Sequence, residues 1–222
     1  MKYKIEMHAH TSQTSPCGQL SAEELVELYV KAGYSGIVIT DHFRLGSTIL
    51  PQDDPEAQLR KFFSGHEAAW RAGARAGIRV YQGAEIFFEK SPHQEFLLYG
   101  AEPEFFIKCL AYIHGSIEEF YPFARENDVL VFCAHPYRDC PPDPNFIDGV
   151  EAYNMKPGVD LHNERSVQFA LDNGLMQISG SDTHAVAHVA RGGIAADILP
   201  ADGAELRKLL QSGNYTLITG GN

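Results

Sequence analysis

Gly36-Ile37-Val38-Ile39-Thr40-Asp41-His42 is the stretch on which the fold turns. Its first half is apolar at consecutive positions, which suits a strand covered on both faces, as in a parallel sheet flanked by helices. The run then stops abruptly in a carboxylate and an imidazole. Upstream, Ser21-Ala22-Glu23-Glu24 is a capping box, Leu25, Leu28, Tyr29 and Ala32 fall on one helical face, and Gly33 is a suitable stop. Residues 4–7 before that helix read as a first strand. Downstream, residues 55–76 have helical periodicity and lead into a strand at 78–82.

Further strands are expected at 96–99, 129–133, 149–153, 175–179 and 215–218. A helix over 160–172 closes on Asn173-Gly174, and Asp202-Gly203-Ala204-Glu205 opens another with a second capping box. Strands alternating with helices predict right-handed βαβ units and a mostly parallel sheet, an α/β fold. The pattern leaves open whether that sheet stays open or closes into a barrel.

At 222 residues, with no repeat, linker or low-complexity tract, a single domain spanning 1–222 is expected. No stretch has the length of a membrane span and the N-terminus lacks an apolar signal core, so no membrane partner and a cytoplasmic location are expected. A net charge of −11 argues against a surface that tracks long nucleic acid. It leaves room for a small anionic substrate, because bound cations reverse the local sign of a pocket. Cys17, Cys109, Cys133 and Cys140 form no CxxC pair and read as free thiols.

The histidines are not scattered. In α/β folds, sites gather outside the carboxyl ends of the strands. Here those ends carry His8-Ala9-His10, Asp41-His42, Gly83-Ala84-Glu85, Ala134-His135-Pro136 and Ser181-Asp182-Thr183-His184. Singly, each has a plain structural explanation: a polar strand edge, a turn cap, a surface glutamate, a hydrogen-bonded core histidine. Together, five strand ends bearing imidazole or carboxylate point to a site for several zinc, iron or manganese ions.

This string of motifs resembles the PHP (polymerase and histidinol phosphatase) family of metal-dependent phosphoesterases, from His8 to about Arg191. The resemblance implies a distorted (β/α)7, TIM-like barrel with two or three divalent ions (Zn, Mn or Fe) at the strand C-termini. It implies that His8, His10, Glu85 and Asp182 hold one ion, and that Glu85 bridges to a second held by His135 and one further ligand. His42 and His184 would hold a third, with Asp182, Glu85 and His184 as the catalytic residues. A metal-bound hydroxide would then hydrolyse a small phosphomonoester such as a nucleotide, a sugar phosphate or histidinol phosphate.

Two departures from the family pattern stand out. Members usually place an aspartate or histidine shortly after the HxH pair, whereas Thr14-Ser15-Pro16-Cys17-Gly18 offers only Cys17, either a thiolate ligand or a turn residue. The missing ligand of the second ion could be His93, Glu95 or His114. Arg138 and Arg191 follow strand-end motifs and could clamp phosphate, with Arg44 a third candidate. Asn154 occupies another strand end and could orient substrate or a ligand, while His162 and His188 read as surface or supporting residues. Residues 45–54 and 140–144 read as rim loops that would set specificity. Two other readings compete: an amidohydrolase-like C–N or lactone hydrolase, and a non-catalytic or polymerase-accessory domain.

Overall fold

The computed structural model describes residues 2–50, 54–91 and 93–220. Met1, positions 51–53 of the 45–54 rim loop and Pro92 before His93 lie outside the described residues. The chain runs β1 (Tyr3–Ala9), α1 (Ala22–Lys31), β2 (Gly36–Ile39), β3 (His42–Phe43), α2 (Pro55–Ala76), β4 (Arg79–Phe87), β5 (Glu95–Tyr99), α3 (Pro103–Cys109) and α4 (Ile117–Glu126). It continues through β6 (Leu130–Cys133), β7 (Gly149–Asn154), α5 (Asn163–Asn173), β8 (Met176–Gly180), β9 (Gly192–Ala196), α6 (Gly203–Ser212) and β10 (Tyr215–Thr219).

Strand order is β10-β9-β1-β2-β4-β5-β6-β7-β8, with β3 beside β4. The sheet curls until the segment after β8 reaches β1. There His10 N–H donates to the Thr183 carbonyl at 3.0 Å and Thr183 N–H donates to the His8 carbonyl at 3.1 Å. The result is a nearly closed, distorted TIM-like barrel, as expected. Parallel pairing holds by a narrow majority, five of the nine strand pairs among the described residues. The exceptions, not foreseen, are β5, antiparallel to β4 and β6, and β9, antiparallel to β1 and β10. The physical reason at β5 is the short 88–94 connection, which is too short for the crossover that a parallel neighbour needs.

Local signals account for the helix ends. Ser21 accepts from Glu24 N–H while the Glu24 carboxylate returns to Ser21 N–H, a complete capping box. Asp54 caps α2 and Gly77 closes it in the left-handed conformation. At α6 the Asp202 side chain caps Glu205 N–H, but the Glu205 carboxylate takes Ala201 N–H instead of completing a box. α5 starts at Asn163, later than the expected 160.

Two apolar layers position the site. Ile5, Met7, Tyr81, Leu97, Tyr99 and Phe132 pack with Leu206, Leu209 and Leu210 of α6, filling the barrel beneath the ligand residues. Outside, Ile37 and Ile39 meet Leu25 and Tyr29 of α1, while Ala84, Ile86, Phe96 and Leu98 meet Phe105, Phe106 and Phe120. Period-2 alternation therefore turns Tyr81, Gly83 and Glu85 inward on β4, and Glu95, Leu97 and Tyr99 inward on β5. On β1 the register with β2 slips by one between Glu6 and Ala9. That bulge lets His8 follow Met7 on the inner side, with Ala9 packed outward and His10 inward again. Among the described residues no helix is long and apolar enough to cross a membrane.

Candidate metal centre

His8 and His10 present their Nε2 atoms 3.1 Å apart at the head of the barrel. His8 Nε2 is 3.4 Å from Glu85 Oε1 and 3.7 Å from Asp182 Oδ1. His10 Nε2 is 3.5 Å from Glu85 Oε2 and 3.6 Å from the same Asp182 oxygen. Nitrogen and oxygen ligands at zinc-like bond lengths stand about 3.3–3.6 Å from one another around a tetrahedral ion. His8, His10 and Asp182, all buried, therefore group around a position that fits one divalent cation, and Glu85 faces both imidazoles from the side.

The same carboxylate continues the cluster. His135 Nε2 lies 3.1 Å from Glu85 Oε1 and 3.1 Å from Glu95 Oε2, so Glu85, His135 and Glu95 meet at a second position. Of the three candidates for the open ligand, the structure brings Glu95 there. His114 is exposed and pairs with Glu89 at 2.8 Å, and His93 is also exposed. A third grouping joins His42 and His184 with His10. His42 also falls within reach of Glu85 and Glu95, its Nδ1 standing 3.0 Å from Glu85 Oε2.

Charge makes the same point. Burial alone would lower His8, but Glu151, Glu85 and Asp182 hold its imidazolium well above the ordinary value. Burial is likewise outweighed at His42 by Glu85, at His135 by Glu85 and Glu95, and at His184 by Asp182, leaving them at about 10, about 10 and about 9. His10 goes the other way, pushed well down by burial and the neighbouring His42. Glu85 and Asp182 sit well below the carboxylate range despite burial, because imidazoles surround them. Protons on histidine here occupy the electrostatic role that metal cations would take. Two of these residues also hold left-handed backbone, His135 at φ +28° and Asp182 at φ +47°. Such conformations are costly and persist where surrounding structure enforces them.

The enforcing groups are carboxylates, of which pattern reading missed Glu151 and Glu6. Glu151, fully buried, accepts from His8 Nδ1 at 2.9 Å through Oε1. Its Oε2 accepts from His135 N–H and from Asn154 Nδ2, both at 2.9 Å. Asn154 thus orients Glu151. Glu6, also fully buried, accepts from His8 N–H and Ser181 N–H, tying β1 to the Asp182 segment. Asp41 takes Thr11 N–H, the Thr11 hydroxyl and the Ser15 hydroxyl within 2.7 Å, which makes it a brace. Gly180 is required beside them: a Cβ there would stand 2.4 Å from Glu151 Oε1 and 2.5 Å from His8 Cβ. Glu151→Gln is expected to weaken metal binding about 10–100-fold, because an amide cannot accept at both oxygens. Chelator competition measures it, and unchanged affinity would refute the role.

The cluster opens into a cleft of about 300 Å³ lined by Cys17, His42, Arg44, Glu85, Glu95, His135, Arg138, Lys156, Asp182 and His184. Arg138 is exposed there and reaches Glu95 at 3.4 Å. Lys156, absent from the sequence reading, places Nζ 3.0 Å from Asp182 Oδ2 and 3.3 Å from His184 Nδ1. Arg44 stacks on Phe87 at the rim. Arg191 is not brought to the cleft: its Nε donates to the Ala187 carbonyl and it lines another hollow, with Lys4 and Tyr34. β9, unread in the sequence, starts immediately after Arg191 and carries the chain away along β1. His188 Nδ1 accepts from His184 N–H at 3.2 Å, while His162 pairs with Asp160 on the surface. Cys17 Sγ lies 3.2 Å from His42 Nε2; burial would raise its thiol, but His184 and His42 bring it down to about 6. A larger hollow of about 460 Å³, with Phe63, Trp70 and Tyr81 in its wall, contains none of these ligand groups.

No curated protein matches the chain significantly. Among solved structures, it is similar to a two-domain protein from Bacteroides vulgatus described as containing a predicted PHP-like metal-dependent phosphoesterase, with TM-score 0.68 and 14% identity. That match covers 99% of this chain and 65% of the other, so the chain spans just under two thirds of that protein's length. A putative metal-dependent phosphoesterase from Bifidobacterium adolescentis gives TM-score 0.60 at 16% identity, covering 93% and 95% of the two chains. An amidohydrolase from Chromobacterium violaceum, described with bound sulfate and no metal, gives 0.61 at 15% identity, covering 96% and 97%. These likenesses show the fold. The pattern of the PHP domain matches residues 6–140, more than half of the sequence and the part that carries His8, His10, His42, Glu85, Glu95 and His135. The chain belongs to the PHP domain family.

Proposed function

We propose that this protein is a metal-dependent phosphoesterase acting on a small phosphomonoester. The observation that carries the reading is the juxtaposition of a buried imidazole–carboxylate cluster with Arg138 and Lys156 in one small cleft. In this reading His8, His10, Glu85 and Asp182 hold one ion, and Glu85, Glu95 and His135 a second. His42 and His184 serve a third. Bound ions would lower the pKa of a water nucleophile and offset charge on the phosphoryl oxygens.

The chain's own groups supply orientation. Arg138, next to Glu95, and Lys156, next to Asp182 and His184, stand at different ends of the ligand cluster. From there they can receive separate oxygens of one phosphoryl group, the guanidinium in bidentate fashion. Asp182 fixes His184 through Nδ1 at 3.1 Å, setting the ring's orientation beside the reacting group. The cleft's 300 Å³ is at the lower end of small-molecule sites, in keeping with a compact substrate such as a nucleotide or sugar phosphate. The net charge of −11 speaks for that partner over long nucleic acid, and a cytoplasmic setting is the one we infer.

Protein loaded with Mn²⁺, Zn²⁺ or Fe²⁺ is expected to release phosphate from an aryl phosphate and from some members of a phosphomonoester panel, and chelation to abolish release. Arg138→Ala is expected to raise KM about tenfold, the equivalent of about 1.4 kcal/mol of binding, with a smaller change in kcat. The likeness to an amidohydrolase makes C–N or lactone hydrolysis the second reading. Loaded protein inert on every phosphoester but active on amides or lactones would replace the first reading by the second.

A further inference from the structure

We propose that Cys17 is a thiolate ligand, completing with His42 and His184 a Cys-His-His position suited to zinc. The inference rests on the metal-centre reading above and adds a protein ligand to it. Cys17 Sγ stands 3.2 Å from His42 Nε2, and Cys17, His42 and His184 line the same cleft, the centroids of the two rings 6.2 Å apart. The two nitrogens of His42 face different neighbours, Nδ1 toward Glu85 and Nε2 toward the sulfur. A thiolate and an imidazole bound to one four-coordinate zinc stand about 3.5 Å apart. The observed gap therefore needs to open by only a few tenths of an ångström, within the freedom of a cysteine χ1.

A thiol that merely rests against a histidine needs no special backbone. This one has it. His42 N–H donates to Ser15 Oγ at 3.0 Å on one side of the turn, and Gln19 N–H donates to the His184 carbonyl at 2.7 Å on the other. The turn is thus fastened to the backbone of both imidazole-bearing residues, with Cys17 between the two fastenings. Gly18 N–H closes it on the Ser15 carbonyl at 2.9 Å, and a Cβ on Gly18 would stand 2.9 Å from the Thr11 carbonyl. The sulfur is consequently held against the His42 ring, in the cleft that His184 also lines. On coordination the thiol proton leaves to solvent and the sulfur lone pair forms the new bond. Soft sulfur would favour zinc here over manganese, whereas the nitrogen and oxygen ligands around Glu85 accommodate either.

Cobalt(II) titration of the metal-free protein tests the assignment. Wild type is expected to bind three equivalents, the last with a sulfur-to-cobalt charge-transfer band in the near ultraviolet. Cys17→Ser and Cys17→Ala are expected to lose that band and at least tenfold in affinity for the third equivalent while keeping the visible cobalt bands of the first two. In wild type, alkylation of Cys17 by iodoacetamide is expected to slow at least tenfold with three equivalents of Zn²⁺, a readout that needs no variant. Cobalt uptake without the band, a band that survives both substitutions, or alkylation indifferent to the third equivalent would each overturn the sulfur assignment alone. No cobalt uptake by wild type would overturn the metal-centre reading and this inference with it.

Discussion

Glu85→Gln is expected to lower kcat on any phosphoester substrate by at least about 10³-fold without unfolding the protein. Four imidazoles surround this carboxylate: His8 at 3.4 Å and His135 at 3.1 Å from Oε1, His10 at 3.5 Å and His42 at 3.0 Å from Oε2. Burial would raise its pKa, yet His8 and His42 hold it well below the usual range, so an anion is required between them. Glutamine keeps the volume and one acceptor oxygen but turns a donor NH2 toward two of the ring nitrogens. It also cannot join two cations. A loss of about 4 kcal/mol from the transition state corresponds to the stated factor. The fold should survive because Glu85 lies on β4, whose flanking Ala84 and Ile86 stay packed in the outer core. Kinetics, bound-metal content and circular dichroism together decide it. A folded variant retaining a tenth of wild-type turnover with its full metal complement would remove Glu85 from the centre of the site.

How much of this was legible in the sequence varies by element for identifiable reasons. α1 and α2 were readable to within a residue because their ends carry side-chain chemistry, at Ser21-Glu24, Asp54 and Gly77. His8, His10, His42, His135, Asp182 and His184 were readable because each lies at or just past the end of an apolar strand. Glu85 joins the cluster from a place other than the one expected: it lies inside β4, which runs on to Phe87, and not after it. Glu95 was one of three candidates. The alternation Glu95-Phe96-Leu97-Leu98-Tyr99, with Leu97 and Tyr99 in the barrel interior, singles it out once the inward face is known. β9 escaped because Gly192-Gly193-Ile194-Ala195-Ala196 has one β-branched residue, Ile194, among glycines and alanines of low strand propensity. Its glycines serve contact: a Cβ on Gly192 would stand 2.4 Å from the Gly180 backbone. Glu6 and Glu151 could not be found by looking at strand ends, since they act from within β1 and β7. Their signal is a carboxylate inside an otherwise buried strand, a placement that demands a partner.

Metal-free protein is expected to lose thermal stability as pH rises from about 6.5 to 10, whereas metal-loaded protein should gain it from about pH 5 to 7 and then hold it. Folding raises His42 and His135 to about 10 and His184 to about 9, from an ordinary 6.5. Within that window the folded chain binds more protons than the unfolded one, so stability falls with pH. It is complete below the unfolded value and lost through the folded one. Glu85 and Asp182 have lowered values, so their contribution is lost only in acid and is constant across the alkaline window. Cations that replace these protons remove the alkaline slope. They add one in acid, where they compete with protons for the same nitrogens. At a thousandfold excess over Kd, one ion adds about 4 kcal/mol. In a chain of this size that is about 8–16 °C in Tm. The separation between loaded and chelated protein should therefore exceed about 10 °C at pH 8.5 and shrink sharply by pH 5.5. Calorimetric Tm values at the two pH values, with and without chelator, give the answer. Parallel displacement at both would mean that the ions bind elsewhere than among these histidines.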